Sequence, residues 1–394
     1  MVRFNPKSFA QPDLLKSIQP GNLVRLLEPC RKLLEDRGLV LPPDGSGEIE
    51  YLRLSAILAE PDEWMDSHVV EGLHVISNLG LHSNFDELLD VARRNFVEID
   101  LDATAVDLAA RIWNEVPQAL ETKEREAGTH RRRKFESLRA RDPEVVLPPE
   151  NLPGDYRALE ADLEAWFAAK KRGIGCRVIR TDAPGEIRFL VQHGQPCKRE
   201  PSRKGAQSTC TFFRPEKTDL VIYDHIHNEL RISTSTIGEL KLYRAKFGKH
   251  VFGDTEYFIY AQKYTLAPLH SEGAGSLQCR DIWGIETVRL TEVDYCDPGP
   301  FSLIERLKAD DVFGALDYHK RSIPPKAVLL RARFAVKIVG ETSPRPVMVQ
   351  PPGVAEFGRG EEAALIEQWL RSRGFILVGK GVEDENSQPF MAVA

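Results

Sequence analysis

TDLVIYDHIHNELRISTSTIGELK, residues 218–241, supports two different backbones. In the first, Asp219 opens an apolar strand and the pair Glu239-x-Lys241 lies on a second one. The two carboxylates would hold Mg²⁺ with a lysine beside the attacking water, as in a metal-dependent nuclease or phosphodiesterase. That layout needs Glu239 and Lys241 on one side of a strand, where residues two apart project together. On a helix they point nearly opposite ways. In the second backbone, DLVIYD and ELRIST flank HIHN as a hairpin, and a helix comes next. Ile237, Leu240, Tyr243, Phe247 and Val251 recur three and four apart, the helical period. TIGE (236–239) matches a capping box, with Thr236 as N-cap and Glu239 reaching back to its N–H. ELRIST also lacks the carboxylate expected of a second core strand. Hairpin then helix fits better; the nuclease layout, with Asp219, Glu239 and Lys241 as catalytic residues, stands as the alternative.

Period-two patterning surrounds this stretch. CRVIRTD (176–182) and EIRFLVQHG (186–194) flank APG as another hairpin. Further strands are expected at 256–266, 284–295, 326–340 and 346–350, and helices at 236–248 and 301–318. FGKHVFGDTEYF (247–258) reads as a turn that buries Phe247, Phe252 and Phe258. Residues 1–146 read mostly as helix. GNLVRLLEPCRKLLEDRG (21–38) carries a leucine stripe broken at Pro29. NFDELLDVARRNF (84–96) begins on Asn84 as an N-cap. LPPENLPGDY (147–156) reads as a linker, and GEEAALIEQWLRSRGFILVG (360–379) as a helix, a glycine stop and a strand. The expected class is α+β. A helical domain (1–146) and the linker (147–156) precede a mainly antiparallel sheet domain with flanking helices (157–345) and a small α/β element (346–394).

The chain has 394 residues, 42% hydrophobic and 28% charged, the composition of a folded protein. Its formal net charge of −6 argues against bulk attraction to nucleic acid but leaves room for a local basic face. No apolar run reaches the roughly 18 residues of a membrane span, and no signal peptide is expected. Six scattered cysteines without C-x-x-C suit a reducing cytoplasm. Walker A, G-x-G-x-x-G, G-x-S-x-G and H-E-x-x-H motifs are all missing.

Basic residues give the most coherent functional signal. HRRRKFESLRAR (130–141), read as a helix, includes Arg131, Arg132 and Arg133. CKREPSRKG (197–205), read as a loop, offers Lys198, Arg199, Arg203 and Lys204 against Glu200 alone. Arg331, Arg333 and Lys337 share one face of a strand, and Arg188 and Arg231 hold the same parity on theirs. If those strands are neighbours, the sheet carries a basic platform. Two acidic or metal-ligating patterns have plainer readings. DHIHN (224–228) is a polar turn, and VEIDLD (97–102) is an edge strand with Glu98, Asp100 and Asp102 facing water.

The leading expectation is a cytoplasmic interaction module, a subunit of a larger assembly, contacting nucleic acid or an acidic protein partner. The basic sheet face and the 197–205 loop would make that contact, while the helical half would carry protein contacts. It has no cofactor and no membrane association, and Mg²⁺ enters only under the nuclease alternative. A purely structural subunit is the third reading.

Overall fold

The computed structural model describes residues 4–377, apart from 44, 82–83, 101, 131–133, 261, 298–299, 359 and 361. They fall into two compact units, Met1–Thr129 and His130–Ala394. No described helix is long and apolar enough to cross a membrane. The class is α+β, as the patterning implies.

The first unit is helical. Ala105–Glu115 packs against Pro20–Leu27, Ser67–Leu79 and Phe85–Arg94 around Trp113, Leu73, Leu23 and Leu27. Thr104 caps Ala105–Glu115 by accepting from Asp107 N–H at 3.0 Å. Asp107 is buried and accepts from Gln19 N–H and Asn22 Nδ2, at 2.7 and 2.9 Å. Pro29 ends a helix as expected, in the 3₁₀ turn Glu28–Cys30. Asn84 precedes its helix without capping it; its amide donates to the Leu79 carbonyl instead. VEIDLD forms no strand among the described residues.

The second unit is built on one antiparallel sheet whose strands are β1 (Lys134–Ala140), β2 (Arg177–Ala183), β3 (Glu186–Gly194), β6 (Glu216–Asp224), β7 (Glu229–Ser233), β8 (Phe258–Tyr260), β9 (Ile285–Asp297), β10 (Leu303–Lys308), β11 (Val328–Ile338), β12 (Arg345–Gln350) and β13 (Val354–Glu356). The order is β10-β9-β11-β12-β13-β1-β7-β6-β3-β2, with β8 also pairing β1. Two further strands, β4 (Lys198–Lys204) and β5 (Gln207–Phe213), pair only with each other.

Helices Arg157–Ala169 and Ile237–Phe252 cover one part of the sheet, burying Leu163, Phe167, Leu240, Tyr243 and Phe247 against Phe189, Val191, Val221 and Ile232. A second core gathers Phe334 on β11, Trp369 on the helix Glu362–Ser372, and Phe375 just after that helix. The predicted burial of Phe247, Phe252 and Phe258 is observed.

Several expectations are corrected. HRRRKFESLRAR is not a helix: from Lys134 it is β1, between β7 and β13, with Phe135, Leu138 and Ala140 buried. Arg131, Arg132 and Arg133 lie outside the described residues. β1 therefore joins the sheet unit, and the helical unit stops before residue 146. The 147–156 segment packs on the sheet, with Leu152 buried, so it is no free linker. Residues 346–356 add β12 and β13 to the same sheet. The 301–318 helix is instead β10 and a short helix, Val312–Tyr318. Leu303, Ile304 and Leu307 have helical spacing, but backbone pairing with β9 prevails. The 256–266 strand shrinks to the three residues of β8.

Glu136 shows the cost of a carboxyl in the middle of a sheet. Burial pushes it up to about 7, with Lys134 opposing. Between the ordinary carboxyl range and about pH 7 the folded chain thus binds a proton that the unfolded chain releases, so stability falls as pH rises through that window. Glu136→Gln is expected to gain on the order of 2–3 kcal/mol over wild type at pH 8, with little gain at pH 4. Urea midpoints at the two pH values measure it. Equal midpoint shifts at both would show that Glu136 does not titrate in this window.

A buried charge cluster and a basic ribbon

β3 and β6 pair from Glu186–Asp224 to Gly194–Glu216. Beyond that point three residues (195–197) oppose two (214–215) before β4 and β5 pair Lys198 with Phe213. One extra residue on one strand is a β-bulge, which bends the strand and sharpens its twist. Pro196 and Pro215 sit in this junction and lack ladder N–H groups. The ladder resumes as a separate two-stranded ribbon.

On the helix-covered face, the register sets His193 opposite Lys217 and Val191 opposite Asp219. Glu239 arrives from the start of helix Ile237–Phe252, where both halves of the predicted capping box form. Thr236 Oγ1 accepts from Glu239 N–H at 3.2 Å, and Glu239 accepts from Thr236 N–H at 3.0 Å. His193, Asp219 and Glu239 are each at most 2% exposed, and they bring three ligand atoms within 4.8 Å of one another.

Every side of this cluster is engaged. Asp219 accepts from Tyr243 O–H at 2.8 Å and meets His193 Nε2 at 3.0 Å. Lys217 Nζ lies 2.9 Å from Asp219 Oδ1 and 3.0 Å from each Glu239 oxygen. Arg172 also donates to Glu239. Burial alone would raise the Glu239 carboxyl; hydrogen bonds from Thr234, Arg172 and Lys217 outweigh it and hold it at about 2. Burial, then the Asp219 charge, pushes the Tyr243 hydroxyl well up. The His193 ring stacks on Phe167 at 3.9 Å between centroids.

Of the alternative catalytic set, Asp219 and Glu239 come together, although Glu239 is helical. Lys241 does not join them, because two residues along a helix turn it away. It lines a surface hollow with Trp166, Lys170 and Arg172. Lys217 and His193 take the inner positions. Both had a sequence signal: each stands two residues from a buried strand position, Lys217 from Asp219 and His193 from Val191, so each shares that residue's face.

No family model matches this chain, and no curated protein does either. Its function has to be sought in its own geometry.

The basic platform does not form. Arg188 and Arg231 share a row through Ile222, but the adjoining row is Glu186, Asp224 and Glu229. Arg188 pairs with Glu186 at 2.6 Å, and buried Arg231 pairs with Asp224. β11 lies four strands from β7 and five from β6. There Arg331 meets Glu292 and Asp294 at 3.0 and 2.8 Å, and Arg333 approaches Glu292 at 3.7 Å. Lys337 donates to the Glu341 and Thr342 carbonyls. Alternation predicted the shared faces correctly, but it did not account for the carboxylates on them: Glu186 from Arg188's own strand, and Asp224, Glu292 and Asp294 from neighbouring strands.

CKREPSRKG, expected as a loop, is the β4 strand of the ribbon. Lys198 and Lys204 project from one face, Arg199 and Arg203 from the other. Nearly all of the ribbon is exposed, including Phe212 and Phe213. At its base Arg214 donates to the Lys171 carbonyl at 2.5 Å, next to the hollow where Lys170 and Arg172 lie over the Trp166 ring at 5.8 and 5.5 Å. The run KKR (170–172) belongs to this surface, although no basic cluster of the sequence analysis includes it. The DHIHN turn is plain: His227 Nδ1 meets Asp224 at 2.9 Å.

Proposed function

We propose that the protein contacts nucleic acid through the β4–β5 ribbon and the cations at its base. The observation that carries this reading is the ribbon: an exposed two-stranded element with four cations and one acid, and no apolar core of its own. A two-stranded ribbon is narrow enough for the major groove of duplex DNA, and its cations would neutralise phosphates. Trp166, with Lys170, Arg172 and Lys241 around it, adds an aromatic surface of the kind on which an unpaired base stacks. The net acidity of the chain restricts the contact to this region rather than spreading it over the surface.

Fluorescence anisotropy of the full chain with labelled duplex and single-stranded DNA and RNA, repeated across salt, tests the proposal. Affinity is expected to fall linearly in log–log form, with a slope of about −3.6 on duplex if four phosphates are engaged. Absence of binding to every probe at about 50 mM salt would overturn it and turn attention to an acidic protein partner.

A further inference from the structure

Both ring nitrogens of His193 meet oxygen atoms: Nδ1 lies 2.8 Å from the Gly194 carbonyl and Nε2 lies 3.0 Å from Asp219 Oδ2. A carbonyl and a carboxylate both only accept, so the single N–H of a neutral imidazole serves one of them and leaves the other nitrogen's lone pair against an oxygen. With the N–H on Nδ1, the Nε2 lone pair faces the Asp219 carboxylate, and a proton or a metal cation between them relieves that contact. A ring N–H held by a backbone carbonyl is also the arrangement in which imidazoles ligate metals. On the other side, Asp219 Oδ1 and both Glu239 oxygens converge on Lys217 Nζ. The cluster is therefore a cradle for positive charge, closed over by Phe167 and Tyr243.

We propose that His193, Asp219 and Glu239 bind one divalent cation, with the Lys217 ammonium as its built-in competitor. One imidazole with two carboxylates mixes nitrogen and oxygen donors, which suits Mn²⁺ or Zn²⁺ better than Mg²⁺. The carboxylates are held in place by other groups, as metal ligands usually are: Asp219 by Tyr243, and Glu239 by Arg172 and the N–H groups of Ser235 and Thr236. Lys217 is the cluster member nearest to solvent after Arg172, with its side chain 10% exposed, so it can withdraw toward the ribbon's base. The cation site does not depend on the ribbon binding nucleic acid.

Titrating the full chain with Mn²⁺, read by electron paramagnetic resonance, tests this. One Mn²⁺ per chain is expected, with electron spin-echo modulation from a single imidazole nitrogen. His193→Gln should abolish the nitrogen modulation and weaken binding by roughly tenfold or more. Lys217→Met, which removes the competing ammonium, should tighten it. The proposal is overturned by wild-type protein that leaves the free-Mn²⁺ signal unchanged, by bound Mn²⁺ without nitrogen modulation, or by Lys217→Met binding no tighter than wild type. If His193→Gln does not fold, the wild-type modulation and the Lys217→Met affinity decide the matter.

Discussion

Glu239→Ala is expected to lower the stability of the sheet unit by about 3–5 kcal/mol, the cost of leaving buried opposite charges without their partner. Glu239 accepts from Lys217, from Arg172, and from the N–H groups of Ser235 and Thr236. Truncation strands Arg172, leaves Lys217 with Asp219 alone, and removes half of a helix cap. Most domains have only about 5–15 kcal/mol in total, so the variant should be near the edge of folding. Glu239→Gln separates the contributions. Its amide oxygen can still accept from Thr236 N–H, so it keeps the cap and loses only the charge, and its loss should fall between wild type and alanine. Urea unfolding at pH 7, monitored by circular dichroism, measures all three chains. A loss below about 1 kcal/mol for alanine would mean that Lys217 and Arg172 reach water without it, and that the cluster is looser than its hydrogen bonds indicate.

Reversing the four ribbon cations together, Lys198→Glu, Arg199→Glu, Arg203→Glu and Lys204→Glu, should remove most nucleic-acid affinity while the melting temperature stays close to wild type. At about −0.9 per phosphate, four contacts account for on the order of a hundredfold change in affinity between about 50 and 200 mM salt. The variant should lose that sensitivity, and its residual slope should report only the cations at the ribbon's base. Stability should survive because these side chains are exposed and bury little against the sheet. Salt-series anisotropy paired with thermal melts reads both effects. An unchanged slope in a folded variant would remove the ribbon from the interface.

The capping box TIGE and the two hairpins were legible because they are local: each is fixed by residues within a few positions of one another. The ribbon was not. KREPSRK has poor strand propensity and contains a proline, and it is extended only because QSTCTFF pairs with it. The neutralised platform was hidden for the same reason, since Arg331 meets Asp294 and Glu292 from a strand more than thirty residues earlier. In the charge cluster, Asp219 and Glu239 were visible as carboxylates. A strand through Glu239 would place the lysine at Lys241. Once Glu239 is helical, the lysine sharing the site comes from the strand of Asp219, two residues before it.

The ribbon leaves β3 and returns to β6 at neighbouring points, closed by the bond from Gln195 N–H to the Pro215 carbonyl at 2.8 Å. It is thus a cassette. Replacing residues 196–214 by a tight turn would leave the β3–β6 ladder, and the buried charges it carries, in register. The outer strands can therefore be lengthened, recharged or deleted without refolding the sheet, so the ribbon and the buried cluster can change independently.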